Sequence, residues 1–258
     1  YNSSQIFELI LKLDFPTVQD VNIDSIFSFH EKFGIDSGKN LVALIKIIIK
    51  KKIGNENITF QELFQTTNKE LIITGSCLNT ACVKYFSHKT TPHMEVYKAI
   101  RISTCFPVYF ESYIYDNQTY VDGALADYYP VHQCINDNFI GIMIDDTSND
   151  NIEVVDDLIL FVSLLFCINF NKYKKDLIEK YKKNTVAINI QGNSIRFDLD
   201  NNEKLAYCDI GYMSAKALFE SQDSEESEPP TKSVATQTEI PQYADASGNT
   251  MSSCSCYQ

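Results

Sequence analysis

Short runs of β-forming residues alternate with helical patterns along the first 219 residues, and this alternation restricts the fold more than any other feature. Strands interleaved with helices are typical of a layered α/β fold, in which helices flank a largely parallel central sheet. We therefore expect an α/β domain of this kind. The predicted strands cover 70–78, 82–87, 113–115, 119–121, 139–144 and 185–190, and the predicted helices cover 3–13, 24–30, 37–52, 59–67, 91–102, 155–168, 170–181 and 203–219.

Local signals fix several boundaries of these predicted elements. Asp36 is predicted to cap the helix that follows it, and the stretch 59–62 reads as a capping box whose two side chains each satisfy a free amide. Pro92 is predicted to open a helix, because proline suits the first helical position. Residues 116–118 predict a hairpin turn, and the nearly continuous apolar run 139–144 predicts a strand buried on both faces.

The composition changes after Phe219, where Ser, Glu, Pro, Thr and Gln replace the apolar periodicity. Residues 220–258 hold seven acidic residues against one basic residue. Such a segment has too little apolar surface to bury, so we expect it to be disordered. The sequence thus predicts one folded portion over 1–219 and an acidic Ser/Thr/Pro-rich tail over 220–258.

Charge and cysteine usage limit the partners and the compartment. The net charge is -12, and no cluster of Lys and Arg offers a surface for phosphates, so we expect no nucleic-acid partner. The three lysines 50–52 close a predicted helix, where cations favour the carbonyl end. Eight cysteines include no Cys-x-x-Cys pair and indicate free thiols in a reducing compartment.

The longest apolar run extends from Leu158 to Ile168 and contains one serine. A helix that crosses a bilayer needs about 20 apolar residues. We therefore expect a core helix or a surface-docking helix here.

The stretch Tyr120-Val121-Asp122-Gly123-Ala124-Leu125 combines a short apolar strand with a carboxylate and two very small residues. A carboxylate at such a strand end can reach an open pocket and act as a general base when burial raises its proton affinity. Taken alone, Asp-Gly is more often a simple turn. Its surroundings therefore decide its interpretation.

These surroundings are the helical stretch 99–105, which leads into Phe106-Pro107-Val108-Tyr109-Phe110, and the later Tyr129-Pro130-Val131. In register with Asp-Gly-Ala, they resemble the second catalytic block of the patatin-like phospholipase family. The resemblance implies an acyl hydrolase with a Ser-Asp dyad, in which Asp122 is the base and Gly123 and Ala124 form the motif turn. Gly123 is expected to leave room for substrate.

The resemblance also implies a substrate pocket near Phe106, Pro107, Tyr128 and Tyr129. Family members usually carry Asn before the proline, so Tyr128 and Tyr129 are a departure at the pocket rim. The stretch 71–78 resembles a family strand, and 36–39 resembles the family's Asp-Ser-Gly loop.

The family's first block, a Gly-rich oxyanion loop and a Gly-x-Ser-x-Gly nucleophile elbow, is absent from these 258 residues. We therefore expect the chain to be the C-terminal portion of a longer domain whose serine precedes Tyr1. A piece without nucleophile and oxyanion donors is expected to be inactive by itself.

Other nucleophiles receive little support from the sequence. Ser76 lies in a strand without the following glycine of an elbow, and Ser103 is expected to pack the motif helix. Cys105 would need one of the histidines, and no spacing favours such a pair. The four histidines are too dispersed for metal-ligand spacing, so we expect neither a metal nor a cofactor.

A second hypothesis is a non-catalytic, degenerate domain that docks lipid or a protein partner. Thr236-Gln237-Thr238 in the tail resembles the anchor by which extended peptides add a strand to dynein light chain. A chance match in a Ser/Thr/Gln-rich tail is the alternative. For either function we expect a cytoplasmic protein that associates peripherally with membranes.

Overall fold

The structure is a computed structural model that describes residues 1–21, 23–134, 138–146, 158–190 and 198–226. Its strands form three sheets. Strands β1 (Gly34–Asp36) and β4 (Val108–Phe110) are parallel, as are β7 (Gly141–Asp146) and β8 (Thr185–Ile190). The third sheet is antiparallel, in the order β3-β2-β6-β5, and is formed by β2 (Ile73–Cys77), β3 (Cys82–Phe86), β5 (Tyr113–Tyr115) and β6 (Gln118–Asp122).

Helices surround these sheets, and the α/β class is confirmed. Parallel pairing is confined, within the described part of the chain, to the two strand pairs. The helices are α1 (Ser3–Lys12), α2 (Ile23–Phe27), α3 (Phe29–Lys32), α4 (Lys39–Ile53), α5 (Phe60–Thr67), α6 (Val96–Ser103), α7 (Leu158–Tyr181) and α8 (Asn201–Glu226), with short 3-10 turns at Phe15–Val18, Gly123–Leu125, Val131–Gln133 and Lys182–Asn184.

Two predictions from local pattern are confirmed in detail. The capping box at Thr59 and Glu62 forms, with each side chain accepting a hydrogen bond from the other residue's amide. The hairpin between β5 and β6 turns at Asp116 and Asn117, whose φ angles of 49° and 56° are both left-handed. Such a turn matches the twist of antiparallel strands and favours Asp and Asn.

Two predicted helix starts are wrong. Asp36 does not cap α4, because its buried carboxylate accepts hydrogen bonds from the amides of Asp20 and Gly38, and Gly38 is the N-cap at φ 70°. Pro92 does not open α6, which starts at Val96. Residues 91–95 instead dock on the start of α5, where the carbonyls of Pro92 and Met94 accept hydrogen bonds from Gln61 and Phe60.

The C-terminal elements also differ from prediction. The described parts of the two helices predicted over 155–181 form one continuous helix, α7, which begins at Leu158. Helix α8 continues to Glu226, so residues 220–226 are helical rather than part of the tail expected from 220. Residues 227–258, including the Thr236-Gln237-Thr238 motif, lie outside the described residues.

Strand β7 is not buried on both faces, as its apolar run predicted. Met143 is buried against α7, whereas Ile142 and Ile144 are exposed, as is Ile140 just before the strand. Burial of the second face depends on what packs against it, which an apolar run cannot encode.

The main core lies between the antiparallel sheet and α6. Ile102 and Ala99 of α6 pack on Phe86 and Tyr120 of the sheet. A Cβ on Gly75 would lie 2.5 Å from Ile102 Cγ2, so this glycine lets α6 approach β2 closely. Helix α6 is thereby held directly behind the end of β6.

In the described parts of the chain, no helix is long and apolar enough to cross a membrane.

Candidate active site

Asp122 is the last residue of β6 and the N-cap of the 3-10 turn Gly123–Leu125. Its amide donates a hydrogen bond to the carbonyl of Cys105 at 2.8 Å, which ties the strand end to the segment leaving α6. Its carboxylate oxygen Oδ1 accepts a hydrogen bond from the amide of Ala124 at 2.8 Å. The main chain of Asp122 is therefore tied to Cys105, and its carboxylate is oriented by the amide of Ala124.

The side chain of Asp122 is half-buried. Burial raises the pKa of this carboxyl from 3.8 to about 6, and the hydrogen bond from the Ala124 amide opposes the shift. Desolvation favours the neutral acid, so the carboxylate binds a proton more readily than an exposed aspartate. A base with a pKa near the working pH is suited to proton transfer.

Ser76 braces the motif turn from the neighbouring strand. Its hydroxyl donates to the main-chain carbonyl of Asp122 at 2.7 Å and accepts from the amide of Ala126 at 3.1 Å. Main-chain groups occupy both the donor and the acceptor role of this hydroxyl, so Ser76 links two parts of the main chain. This geometry favours a structural role for Ser76 over a role as nucleophile. Within the described residues, no serine hydroxyl is hydrogen-bonded to the Asp122 carboxylate.

Gly123 is required for a reason that differs from the predicted one. A Cβ at this position would lie 2.3 Å from Thr74 Oγ1 and 2.5 Å from the Thr74 main chain. The space beside Gly123 is therefore filled by β2 and is not open to substrate. Ala124, by contrast, is exposed, and its amide faces the Asp122 carboxylate.

Cys105 and Ser103 lie close to the motif in the chain. Cys105 is fully buried and its thiol contacts the carbonyl of Glu111 at 3.0 Å. Burial raises the pKa of this thiol, although the Arg101 guanidinium nearby lowers it and Asp122 raises it further. The geometry favours a packing role for Cys105, because a nucleophile needs the thiolate. Ser103 ends α6 and is half-buried.

The four residues predicted to form the pocket lie in two environments. Phe106 and Pro107 are half-buried beside the motif, and Phe106 meets Phe166 of α7 edge-on, with ring centroids 5.8 Å apart. Tyr128 is exposed, contacts the Phe170 ring with centroids 3.6 Å apart, and donates to the carbonyl of Ile144.

Tyr129 is a core residue. Its hydroxyl lies 2.6 Å from Thr185 Oγ1, and it packs with Val131 and Met143 between the motif loop and the parallel pair β7·β8. A Cβ on Gly141 would overlap the Tyr129 hydroxyl, so that glycine makes room for it. The structure thus places Phe106, Pro107 and Tyr128 near the motif surface and Tyr129 beneath it.

A polar cluster lies beside the motif, and the sequence did not predict it. The Tyr85 hydroxyl donates to Asp127 Oδ2 at 2.6 Å and lies 3.0 Å from His132 Nε2. The amide of Asp127 donates to the carbonyl of Gly123, so the cluster anchors the segment that leaves the motif turn. Asp127 lies in the motif segment, but Tyr85 comes from a distant strand, and no sequence pattern joins the two.

Arg101 is the most deeply buried cation at the site. One guanidinium nitrogen donates to the carbonyls of Ser37 and Glu111, at 3.2 and 3.0 Å, and the guanidinium lies over the Phe110 ring. A Cβ on Gly38 would collide with this guanidinium. Arg101 therefore fixes the 36–39 loop against β4.

No group of three or more His, Cys, Asp or Glu side chains that could hold a metal occurs in the described parts of the chain.

Comparison with known proteins identifies similar chains. The profile of the family described as patatin-like phospholipase matches residues 1–135. An uncharacterized protein of Acanthamoeba polyphaga mimivirus is 27% identical over 84% of this chain and 75% of its own length. A protein of Invertebrate iridescent virus 6, named as a probable lipid hydrolase, is 26% identical over 73% of this chain and 60% of its own length.

A search of solved structures finds VipD from Legionella pneumophila, with a TM-score of 0.47 and 16% sequence identity. The match covers 84% of this chain and 45% of VipD. The chain thus spans less than two thirds of the length of VipD and of the iridescent virus relative.

Proposed function

Because the chain belongs to the patatin-like phospholipase family, we propose that it supplies the general base, Asp122, of a lipid acyl ester hydrolase. The observation that supports this role is the Asp122 carboxylate, which ends β6 at the family motif and has a pKa raised to about 6 by burial. The nucleophile is proposed to be a serine that precedes Tyr1 in the complete protein.

In the proposed reaction, the serine oxygen attacks the ester carbonyl carbon while Asp122 accepts the hydroxyl proton. The proton then passes to the departing alcohol as the ester C–O bond breaks, which leaves an acyl-serine. Water attacks the acyl carbon, Asp122 takes a proton from the water, and that proton returns to the serine oxygen as the fatty acid leaves. Asp122 ends each cycle as a carboxylate.

The site also fixes the position of the proposed base. The Ala124 amide and the Ser76 hydroxyl fix the turn around Asp122, so the base does not need to reorganise during proton transfer. The Asp122 carboxylate accepts one hydrogen bond from the main chain and retains acceptor capacity for a hydroxyl or a water molecule.

We propose that the protein acts in the cytoplasm, peripherally bound to membranes whose lipids are its substrates. The cysteine pattern, eight residues without a Cys-x-x-Cys pair, supports a reducing compartment. The Thr-Gln-Thr partner motif at 236–238 stays a prediction.

The test compares hydrolysis of a fluorogenic ester and of a phospholipid by the full-length protein, by its Asp122→Asn form and by the 258-residue chain. We expect full-length activity to fall at least about a hundredfold in Asp122→Asn, because general base catalysis contributes that much or more. The 258-residue chain should be inactive. Asp116→Asn is the matched control, since Asp116 lies at the exposed hairpin turn between β5 and β6.

No hydrolysis by a folded full-length protein would refute the proposal and favour the non-catalytic alternative. Equal activity of the wild-type and Asp122→Asn proteins would remove Asp122 from the mechanism.

A further inference from the structure

One face of helix α7, which we call its inner face, contacts residues of the candidate site. Phe166 meets Phe106, and Phe170 meets Tyr128. Ile159 packs against the cluster formed by Cys105, Tyr109 and Phe110. The carbonyl of Cys105 holds the Asp122 amide, so α7 contacts residues adjacent to the proposed base.

The opposite face of α7 exposes a row of large apolar side chains. Their positions follow intervals of three, four and three residues, which place them within one narrow arc of a helix. We call this row the apolar stripe, and it consists of Leu158, Phe161, Leu165 and Ile168, which are 55%, 50%, 47% and 69% exposed. Large contiguous apolar surfaces on soluble proteins mark sites for partners or lipids.

Charge along α7 is distributed unevenly. The segment 158–171 contains no charged residue. The following segment, 172–181, contains four lysines against Asp176 and Glu179, in a chain whose net charge is -12. One of the four, Lys174, is buried and lies over the Phe170 ring, so the other three are the ones considered for contact with lipid. An apolar surface followed by an excess of lysines fits the hydrocarbon boundary and the anionic head groups of a lipid surface.

We propose that the apolar stripe of α7 docks on a lipid surface and thereby places the Asp122 site at that surface. This inference rests on the proposed lipid hydrolase function, since substrate at a membrane gives the docking face its purpose. A second copy of the chain, or the segment 227–258, would be a different occupant of the stripe. The bilayer is favoured because the inner face of the same helix contacts the site that must receive lipid.

These 258 residues contain no tryptophan, so the signal of a single introduced Trp is obtained as the difference from the same protein without that substitution. The first experiment places Trp in the stripe with Phe161→Trp, in the full-length protein with Asp122→Asn so that lipid is not consumed. Ile114→Trp is the matched control, because Ile114 is 72% exposed on β5, outside the stripe. The probe is a vesicle of phosphatidylcholine, with or without phosphatidylserine, that carries brominated acyl chains.

We expect the fluorescence of Phe161→Trp to shift to the blue and to be quenched by brominated chains, more strongly with phosphatidylserine, whereas Ile114→Trp stays unchanged. Absence of both effects at Phe161→Trp, or equal quenching at the two positions, would overturn the proposal. A dimer that Phe161→Asp dissociates, without any vesicle binding, would overturn it in favour of a second copy.

The second experiment tests delivery of substrate. The double variant Leu165→Asp, Ile168→Asp is expected to lose on the order of tenfold or more of its activity on vesicles, from the lost apolar contact alone. Its activity on a soluble short-chain ester should be unchanged, as should both activities of Ile114→Asp. Equal losses on both substrates would overturn the docking role, because they indicate damage to the fold or the site.

The two experiments separate this inference from the proposed function. The fluorescence result does not depend on hydrolysis, so it decides docking even if Asp122→Asn proves fully active. Conversely, hydrolysis of a soluble ester without vesicle binding would support the proposed function and refute the docking role of the apolar stripe.

Discussion

The hydroxyl of Ser76 on β2 donates a hydrogen bond of 2.7 Å to the main-chain carbonyl of Asp122 on β6. The same hydroxyl accepts a hydrogen bond from the amide of Ala126, so one buried side chain contacts both ends of the motif turn. The proposed base is thus positioned by a strand that lies far from it in the sequence. This link explains how a short turn can hold a partly buried carboxylate.

Ser76→Ala should destabilise the protein without removing any reacting group. The substitution removes the hydroxyl that donates to the Asp122 carbonyl, whereas the Ala126 amide keeps its hydrogen bond to the carbonyl of Gly123. We therefore expect the free energy of unfolding to fall by about 0.5–1.5 kcal/mol. Denaturant unfolding followed by circular dichroism measures the change. Ser4→Ala on the exposed face of α1 is the control and should stay within about 0.5 kcal/mol.

The rate of ester hydrolysis should depend on pH through Asp122. In the proposed reaction the carboxylate is the active form, and its pKa is raised to about 6. We therefore expect kcat/KM to rise with pH to a plateau, with a midpoint near 6 and a slope of about tenfold per pH unit below it. A soluble ester keeps lipid binding out of the measurement, and a profile that is flat through this range would contradict the assignment.

Asp122→Asn should reduce activity at least about a hundredfold and yet stabilise the fold above neutral pH. The folded-state pKa of about 6 lies above the ordinary 3.8, so the folded state binds more protons than the unfolded state between those values. The free energy of unfolding therefore falls as pH rises through this window. Asparagine removes the buried charge, and we expect a gain of about 1–3 kcal/mol near pH 8. Urea unfolding at about pH 4 and about pH 8 tests this, and an Asp122→Asn protein less stable than wild type at the higher pH would disagree.

Gly123→Ala should be poorly tolerated. Its Cβ would meet both the side chain and the main chain of Thr74, and we expect a loss of about 1–3 kcal/mol in the free energy of unfolding. Because main-chain atoms take part in the clash, Thr74→Ala should not restore stability. Gly211→Ala on α8 is the matched control, since its Cβ would meet only Ile188 at 3.8 Å. That change should be neutral or stabilising by up to about 1 kcal/mol.

Adjacent tyrosines should respond differently to loss of the hydroxyl. Tyr129→Phe removes a buried hydrogen bond to Thr185, and we expect a loss of about 1–2 kcal/mol in stability. Tyr128→Phe loses a bond to the Ile144 carbonyl at an exposed position, where water can replace it, so the stability change should be smaller. Thermal unfolding compares them. A larger effect at Tyr128 would mean that the core assignment of Tyr129 is wrong.

Sequence alone determined the features that depend on neighbours in the chain. The capping box at Thr59 and Glu62, the turn at Asp116 and Asn117, and the placement of Asp122 at a strand end all follow from side chains and main-chain groups a few residues apart. Such contacts form from local hydrogen bonds and backbone preferences, so their patterns can be read directly. The family resemblance likewise rests on short motifs, most of them within 99–131, each of which can be read along the chain.

Tertiary structure decided the features that depend on distant partners. Asp36 binds the amides of Asp20 and Gly38 instead of capping α4, and Gly123 is fixed by Thr74 rather than by space for substrate. The apolar run of β7 could not reveal that one of its faces stays exposed. The raised pKa of Asp122 is of the same kind, because it comes from burial by strands and helices that sequence order does not place around it. Burial is a property of the packed chain, and it determines the chemistry available to this carboxylate.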